Sequence, residues 1–223
     1  TSTNCCGGPT PWGSWLTCEE TLETPADADV TKAHGWVFEV PATATALVDP
    51  VPLKAMGRFD HEAVCVDPRT GVVYLTEDDN AGLFYRFIPN VRGRLIEGGR
   101  LQAMAWKGAP SADTRNQDGR SWAVGDWKEI EWIDLDDVES PNGDLAKRGH
   151  SAGAAWVARR GALKGGFGRA AHRSAHRVAS LKQVSVLPSQ AKAWCWQILA
   201  AARSRRKSAR AWLAAWSSAR TSL

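Results

Sequence analysis

Through residue 135 the chain alternates apolar and polar positions in short runs, each closed by glycine, proline or an acidic residue. That is the rhythm of β-strands, not of amphipathic helices. Trp15–Cys18 reads as a short strand, residues 35–41 as a second stopped by Pro41, and residues 62–68 as a third. Asp67-Pro68-Arg69-Thr70-Gly71 is a turn sequence, and residues 72–76 leave it as a strand, which together predict a hairpin. Residues 82–89 predict a further strand ending at a proline, and residues 101–106 and 129–135 are weaker candidates. Gly7-Gly8-Pro9 predicts a turn or loop. Residues 111–128 are polar and glycine-rich and predict a surface loop, and residues 136–150 a loop or the start of a short helix.

One pattern occurs twice. Trp15-Leu16-Thr17-Cys18-Glu19-Glu20 is echoed by Tyr74-Leu75-Thr76-Glu77-Asp78-Asp79, and each copy is followed by a loop and a glycine-led aromatic strand. Strand, acidic loop, strand at blade-like spacing suits a β-propeller, although a repeated hairpin in a sandwich has the same signature.

Composition divides the chain. Hydrophobic residues make up 43% and charged residues 23%, as in a globular protein of one domain or part of a larger one. No run reaches the roughly 18 apolar residues of a membrane-spanning helix. The net charge of +4 conceals an asymmetry. Residues 1–150 hold 14 Lys+Arg against all 24 Asp+Glu, and residues 151–223 hold 14 Lys+Arg and no acid. The second segment contains 19 alanines and five tryptophans, and residues 190–216 are a possible basic helix. Five cysteines form no complete disulfide framework and match no zinc-knuckle spacing. The chain opens at Thr1 with no basic segment leading an apolar one, so any leader is expected to have been removed or to lie outside a fragment.

The candidate chemistry lies in acids at strand ends. Glu19-Glu20 follow one strand and Glu77-Asp78-Asp79 another. Carboxylates gathered at one place repel unless a cation neutralises them, and hard oxygen donors suit Ca²⁺, Mg²⁺ or ferric iron. A solvated acidic loop is the competing reading. His61-Glu62 stands at the entry of the third strand, as a metal-binding, acid–base or structural pair. Asn4-Cys5-Cys6-Gly7-Gly8 sets thiols in a glycine turn, where a thiolate can bind a soft or borderline metal. Neither a Ser-His-Asp elbow nor a phosphate-cradling glycine loop occurs.

These segments together carry a resemblance. Residues 4–20, from Asn4 to Glu20, resemble the NCAGG-x-TPWGTWLTCEE signature of the PhoX-type bacterial alkaline phosphatases. Residues 34–40 resemble the strand that follows it, residues 55–63 its AMGRFxHEA segment, and residues 73–78 with 82–87 its YLTED…GLFYRF segment. The similarity continues through residue 150 and fades near residue 155. The resemblance implies an all-β fold, here a partial β-propeller over residues 1–150; residues 151–223 are expected from their composition to be an irregular or helical basic tail. It implies export by the twin-arginine route to the periplasm or the extracellular space. It also implies an enzyme that hydrolyses a small phosphate ester with Ca²⁺ and Fe³⁺, and the chain is expected to be a monomer. Carried onto this sequence, Cys5 becomes an iron ligand, Glu20, Glu62, Glu77 and Asp78 become candidate metal ligands, and Arg58 a candidate phosphate ligand. Two departures are visible. Cys6 replaces the small alanine that follows the ligand cysteine, and family members are far longer, so later blades and their ligands are expected to be missing. The tail has the composition that a wrong reading frame of GC-rich DNA produces. The alternative is a basic, tryptophan-bearing helix for nucleic acid or an acidic membrane surface.

Overall fold

A computed structural model of the chain describes residues 1–27, 29–117 and 127–158. The possible helix over 190–216, and most of the basic segment with it, lies outside the described residues. So does part of the loop expected over 111–128.

Among the described residues eight strands carry the structure: β1 (Asn4–Pro9), β2 (Ser14–Glu19), β3 (Val37–Pro41), β4 (His61–Val66), β5 (Val73–Glu77), β6 (Phe84–Pro89), β7 (Gly99–Trp106) and β8 (Ile130–Asp134). One short helix, α1 (Leu145–Ser151), follows them. The fold is all-β, as expected. β1, β2 and β3 form one antiparallel set and β4 to β8 a second, and the two meet where β1 runs parallel to β4.

The hairpin expected at residues 67–71 is present. Asp67 accepts from Arg69 N–H at 2.9 Å and from the Thr70 hydroxyl at 2.7 Å, while Gly71 N–H closes the turn onto Asp67 O at 2.8 Å. These local bonds explain why an Asp-Pro-x-Thr-Gly run turns the chain. In β6 the alternation is clean, while the end of β5 and most of β7 are buried on both faces. Val73, Leu75, Tyr85, Phe87, Leu101 and Ala103 point to one face and are buried there with Leu16, Val37, Phe59 and Leu145. Phe59 stacks on Tyr85 with ring centroids 4.3 Å apart, an arrangement that adds about 1 kcal/mol to the burial itself. β4 is buried along its whole length, as expected of a strand flanked by other strands and covered on both faces.

The structure corrects one expectation here. Gly7-Gly8-Pro9 belongs to a strand, not to a turn. The glycines are required by proximity: a Cβ on Gly7 would lie 2.0 Å from Leu16 O, and one on Gly8 2.2 Å from Val64 O. Gly7 also has φ of +59°, which side-chain-bearing residues adopt only with strain. Glycine marks close backbone approach here, between β1 and its neighbours on either side.

The same irregularity occurs in both sets. Between β1 and β2 the register passes from Cys5↔Cys18 to Gly8↔Leu16, so Cys6 and Gly7 together face Thr17. Between β4 and β5 it passes from His61↔Glu77 to Val64↔Leu75, so Glu62 and Ala63 together face Thr76. These are β-bulges at corresponding places of the repeat, and Gly7 and Ala63 are the pair through which β1 and β4 meet. A bulge re-aims the side chains beside it. Thr76 anchors the second one, its hydroxyl accepting from Ala63 N–H at 3.2 Å.

Residues 151–158 pack on the sheet instead of departing from it. Ala154, Ala155 and Val157 are buried, Ala155 N–H reaches Met104 O at 2.8 Å, and Val157 N–H reaches Gly82 O at 3.0 Å. Gly7→Ala is expected to lower the free energy of unfolding by about 2–4 kcal/mol, combining left-handed strain with overpacking. Gly13→Ala, where φ is +85° but no atom lies within 4 Å of the added Cβ, should lose only about 1–2 kcal/mol. Chemical denaturation of the two variants against the parent chain measures both.

Candidate metal centre

The two bulges aim side chains toward one place. Sγ of Cys5, Sγ of Cys6 and a carboxylate oxygen of Glu62 lie within 4.8 Å of one another, as do carboxylate oxygens of Glu20, Glu62 and Asp78. Glu62 is common to both groups. The Cys5 thiol donates to Glu62 Oε2 at 3.4 Å. Cys6 comes from the bulge of β1, Cys5 from the paired position beside it, and Glu62 from the bulge of β4. Glu20 and Asp78 follow β2 and β5, each fixed by its backbone to the chain leading into an inner strand. Glu20 N–H donates to Thr3 O and Asp78 N–H to Asp60 O, both at 3.0 Å.

The acids open onto a cleft of about 520 Å³ lined by Thr3, Glu20, Thr21, Leu22, Glu23, Asp27, Asp60 and Asp78. Five of these carry carboxylates, and none of the described residues that line the cleft is a lysine or arginine. Ionised carboxylates this close repel by roughly 3–4 kcal/mol per pair at an effective dielectric constant of about 20. The electrostatics show that tension. Burial, then a hydrogen bond shared with Asp78, and then the charges of Glu62 and Asp78 push the Glu20 carboxyl up to about 7, against a smaller lowering by its bond with Cys5. The Cys5 thiol is held far above the usual thiol range, first by its hydrogen bond with Cys6, then by burial and by the charge of Glu62.

Other expected site residues are placed elsewhere. Glu77 is buried and stands apart from the cluster. Its Oε2 accepts from Leu83 N–H and from the Tyr85 hydroxyl, both at 2.8 Å, and so holds the 78–83 loop against β6. Burial pushes the Glu77 carboxyl up to about 8 despite those two bonds. Arg58, expected to bind phosphate, does not line the cleft. It is almost fully buried and clamps four backbone carbonyls: His34 O at 2.7 Å, Leu22 O at 2.7 Å, Ser140 O at 3.1 Å and Pro141 O at 3.3 Å. The guanidinium ties three loops together there. His61 is fully buried, bonded through Nε2 to Gly57 O at 3.1 Å and packed on Phe59. Burial lowers it to about 3, which favours the neutral imidazole at ordinary pH.

Glu19, neighbour of Glu20, is turned inward. Its carboxylate accepts from Ser2 N–H and Gly35 N–H at 2.9 Å and from Trp36 N–H at 3.2 Å, and meets His34 Nδ1 at 2.8 Å. Strand alternation separates the two acids: Glu19 secures the chain termini of β1 and β3, and Glu20 faces the cleft. Asp60, Glu23 and Asp27 also line the cleft and were not among the expected ligands. Asp60 directly precedes His61-Glu62, which is the one signal the sequence offered for it.

A thiol and clustered carboxylates form a donor set for a cation, and the comparisons agree with the motifs that the sequence carries. The family model described as alkaline phosphatase PhoX matches residues 1–206. The chain belongs to the PhoX alkaline phosphatase family. The match passes residue 155, where the resemblance was expected to fade. A solved structure of PhoX from Pseudomonas fluorescens, in complex with vanadate, a transition state analogue, is similar with a TM-score of 0.49 and 20% identity. The similarity covers 72% of this chain and 37% of that one, so the chain spans well under half the length of that PhoX. No curated protein matches. Among the described residues no helix is long and apolar enough to cross a membrane.

The two raised carboxyls fix a pH dependence. Their folded values lie above the ordinary carboxylate value of 4.5. Their stabilising contribution is therefore complete below about 4.5 and is lost as pH rises through about 7 for Glu20 and about 8 for Glu77. The metal-free protein should melt at progressively lower temperature between these limits. Glu77→Gln should flatten the upper part of the decline, and saturating Ca²⁺ the lower part. Thermal unfolding across that pH range, with chelator and with Ca²⁺, reads each contribution.

Proposed function

We propose that this chain carries part of the metal-dependent active site of a phosphatase acting on phosphate monoesters, with Cys5, Glu20, Glu62 and Asp78 as ligands to Ca²⁺ and Fe³⁺. The observation that carries the proposal is the convergence of one thiol and three carboxylates from four separate segments on one side of the paired bulges, in a chain of the PhoX family. The donor set fits the metals. Carboxylate oxygens are ligands for a hard cation, and a thiolate with carboxylates suits iron. Two sets of antiparallel strands meeting through parallel inner strands at equivalent residues also support reading them as neighbouring blades of a propeller.

Bound cations would supply positive charge to polarise a phosphoryl group and to activate an oxygen nucleophile. The residues of this chain do the rest. Glu62, buried and shared by both donor groups, fixes the thiol side of the site relative to the acidic side. Glu20 and Asp78 hold the position of the acidic side through their backbone bonds to Thr3 and Asp60. Asp60, Glu23 and Asp27 surround the approach with negative charge, so a phosphate dianion enters only against cations already held there. Export to the periplasm or the extracellular space by the twin-arginine route, and a monomeric state, belong to the same proposal.

The absence of a basic side chain among the described residues that line the cleft also favours a second reading, a non-catalytic calcium-binding module. Hydrolysis of p-nitrophenyl phosphate by the full chain, reconstituted with Ca²⁺ and Fe³⁺ and analysed for bound metal, decides between them. The phosphatase reading expects turnover that falls at least about 100-fold in Cys5→Ala and Glu62→Gln and far less in Glu77→Gln. Metal bound in stoichiometric amount without turnover overturns it in favour of the module. Binding of nucleic acid through residues 151–223 remains a separate proposal. It expects salt-dependent DNA binding by the full chain that is lost when the lysines and arginines of that segment are replaced.

A further inference from the structure

We infer that Cys5, Cys6 and Glu62 form a binding site for a thiophilic divalent cation such as Zn²⁺, and that this site competes with hard-cation binding at Glu20, Glu62 and Asp78. The inference rests on the placement of three side chains and does not depend on phosphatase activity.

Consecutive residues of a regular strand point to opposite faces and cannot both ligate one ion. Cys5 and Cys6 escape that rule because the bulge of β1 lies between Cys5 and Gly8. Their sulfurs and a Glu62 carboxylate oxygen fall within 4.8 Å of one another. Two thiolates on one tetrahedral Zn²⁺, each about 2.3 Å from the ion, stand a little under 4 Å apart, within that span. A carboxylate at about 2.0–2.2 Å is a normal third ligand, and a fourth position is left for water or a substrate oxygen. Both cysteines are half-buried, and neither is in a disulfide with another described residue. Binding releases a proton from each thiol, leaving a site of two thiolates and a carboxylate around a divalent ion.

Cys6 gives the site its character. With one thiol and oxygen donors a position suits a hard or borderline ion, whereas a second thiolate shifts preference to Zn²⁺ and softer ions. Because Glu62 belongs to both donor groups, the thiophilic ion and the hard ion draw on the same carboxylate. Occupancy of one should weaken the other.

Co²⁺ titration of the full-length, reduced, metal-free chain tests this. The expected result is a thiolate-to-cobalt charge-transfer band with tetrahedral visible absorption, bleached by stoichiometric Zn²⁺. Zn²⁺ should also protect Cys5 and Cys6, mapped by peptide mass spectrometry, from alkylation, and excess Ca²⁺ should weaken Co²⁺ binding. Cys6→Ala, which leaves one thiolate, should clearly weaken the band and weaken Zn²⁺ binding by at least about tenfold, the lower end of the loss seen even for residues that merely support a ligand. A Co²⁺ spectrum without thiolate charge transfer overturns the inference. So does a band of undiminished intensity in Cys6→Ala, or alkylation of Cys5 and Cys6 that proceeds equally with Zn²⁺. The alkylation measurement uses the unaltered chain and stands even if the variant does not fold. Loss of p-nitrophenyl phosphate hydrolysis with the cobalt band intact would count against the phosphatase reading alone.

Discussion

The parallel contact between Gly7 and Ala63 is the constraint on which the rest of the site depends. Each lies in a bulge opposite a threonine, Thr17 in one repeat and Thr76 in the other. The bulges bring Cys5, Cys6 and Glu62 to one side of two adjacent inner strands. Without Gly7 and Gly8, β1 could not approach both Leu16 O and Val64 O, and the thiols would stand away from Glu62. The backbone therefore sets the site before any side chain chooses a rotamer.

Around that contact the acids divide into two populations. Glu19 and Glu77 are turned into the structure and satisfied by backbone N–H groups, a histidine or a tyrosine hydroxyl. They anchor the loops that follow their strands. Glu20 and Asp78 belong to the cluster around Glu62, where burial first, and then a hydrogen bond with Asp78 and the neighbouring charges, raise the Glu20 carboxyl. A hydrogen-bonded interior acid gives rigidity, and a crowded acid at a cleft gives affinity for positive charge. The repeat places the two types side by side. Arg58 completes the frame by joining the loops at Leu22, His34 and Ser140 from within.

Much of this was legible in the residue pattern. The strands at 72–76, 82–89 and 101–106 followed from alternation and from the Asp-Pro-Arg-Thr-Gly turn, and their apolar faces are the core. The repeat of Leu-Thr followed by acids pointed to equivalent hairpins, and the bulges opposite Thr17 and Thr76 are what that repeat encodes. Three features were not legible. Gly7-Gly8 signals a turn by composition, but its role depends on the strands on either side, which local sequence does not reveal. Glu77 and Asp78 are adjacent acids, and only the direction of each side chain distinguishes a loop anchor from a member of the cluster. Arg58 has the chemistry for phosphate, yet four carbonyls from distant segments surround it, and spacing along the chain carries no trace of them.

The proposed site has one structural consequence above all: side chains from β4 and from the ends of β2 and β5 share a cation. A crystal structure of the chain grown with Ca²⁺, with anomalous scattering used to locate the ion, tests it most directly. The account predicts an ion bonded at about 2.3–2.6 Å to carboxylate oxygens of Glu20, Glu62 and Asp78. An ion held only by outer acids of the cleft such as Glu23 and Asp27, with Glu62 left out of its coordination, would contradict it.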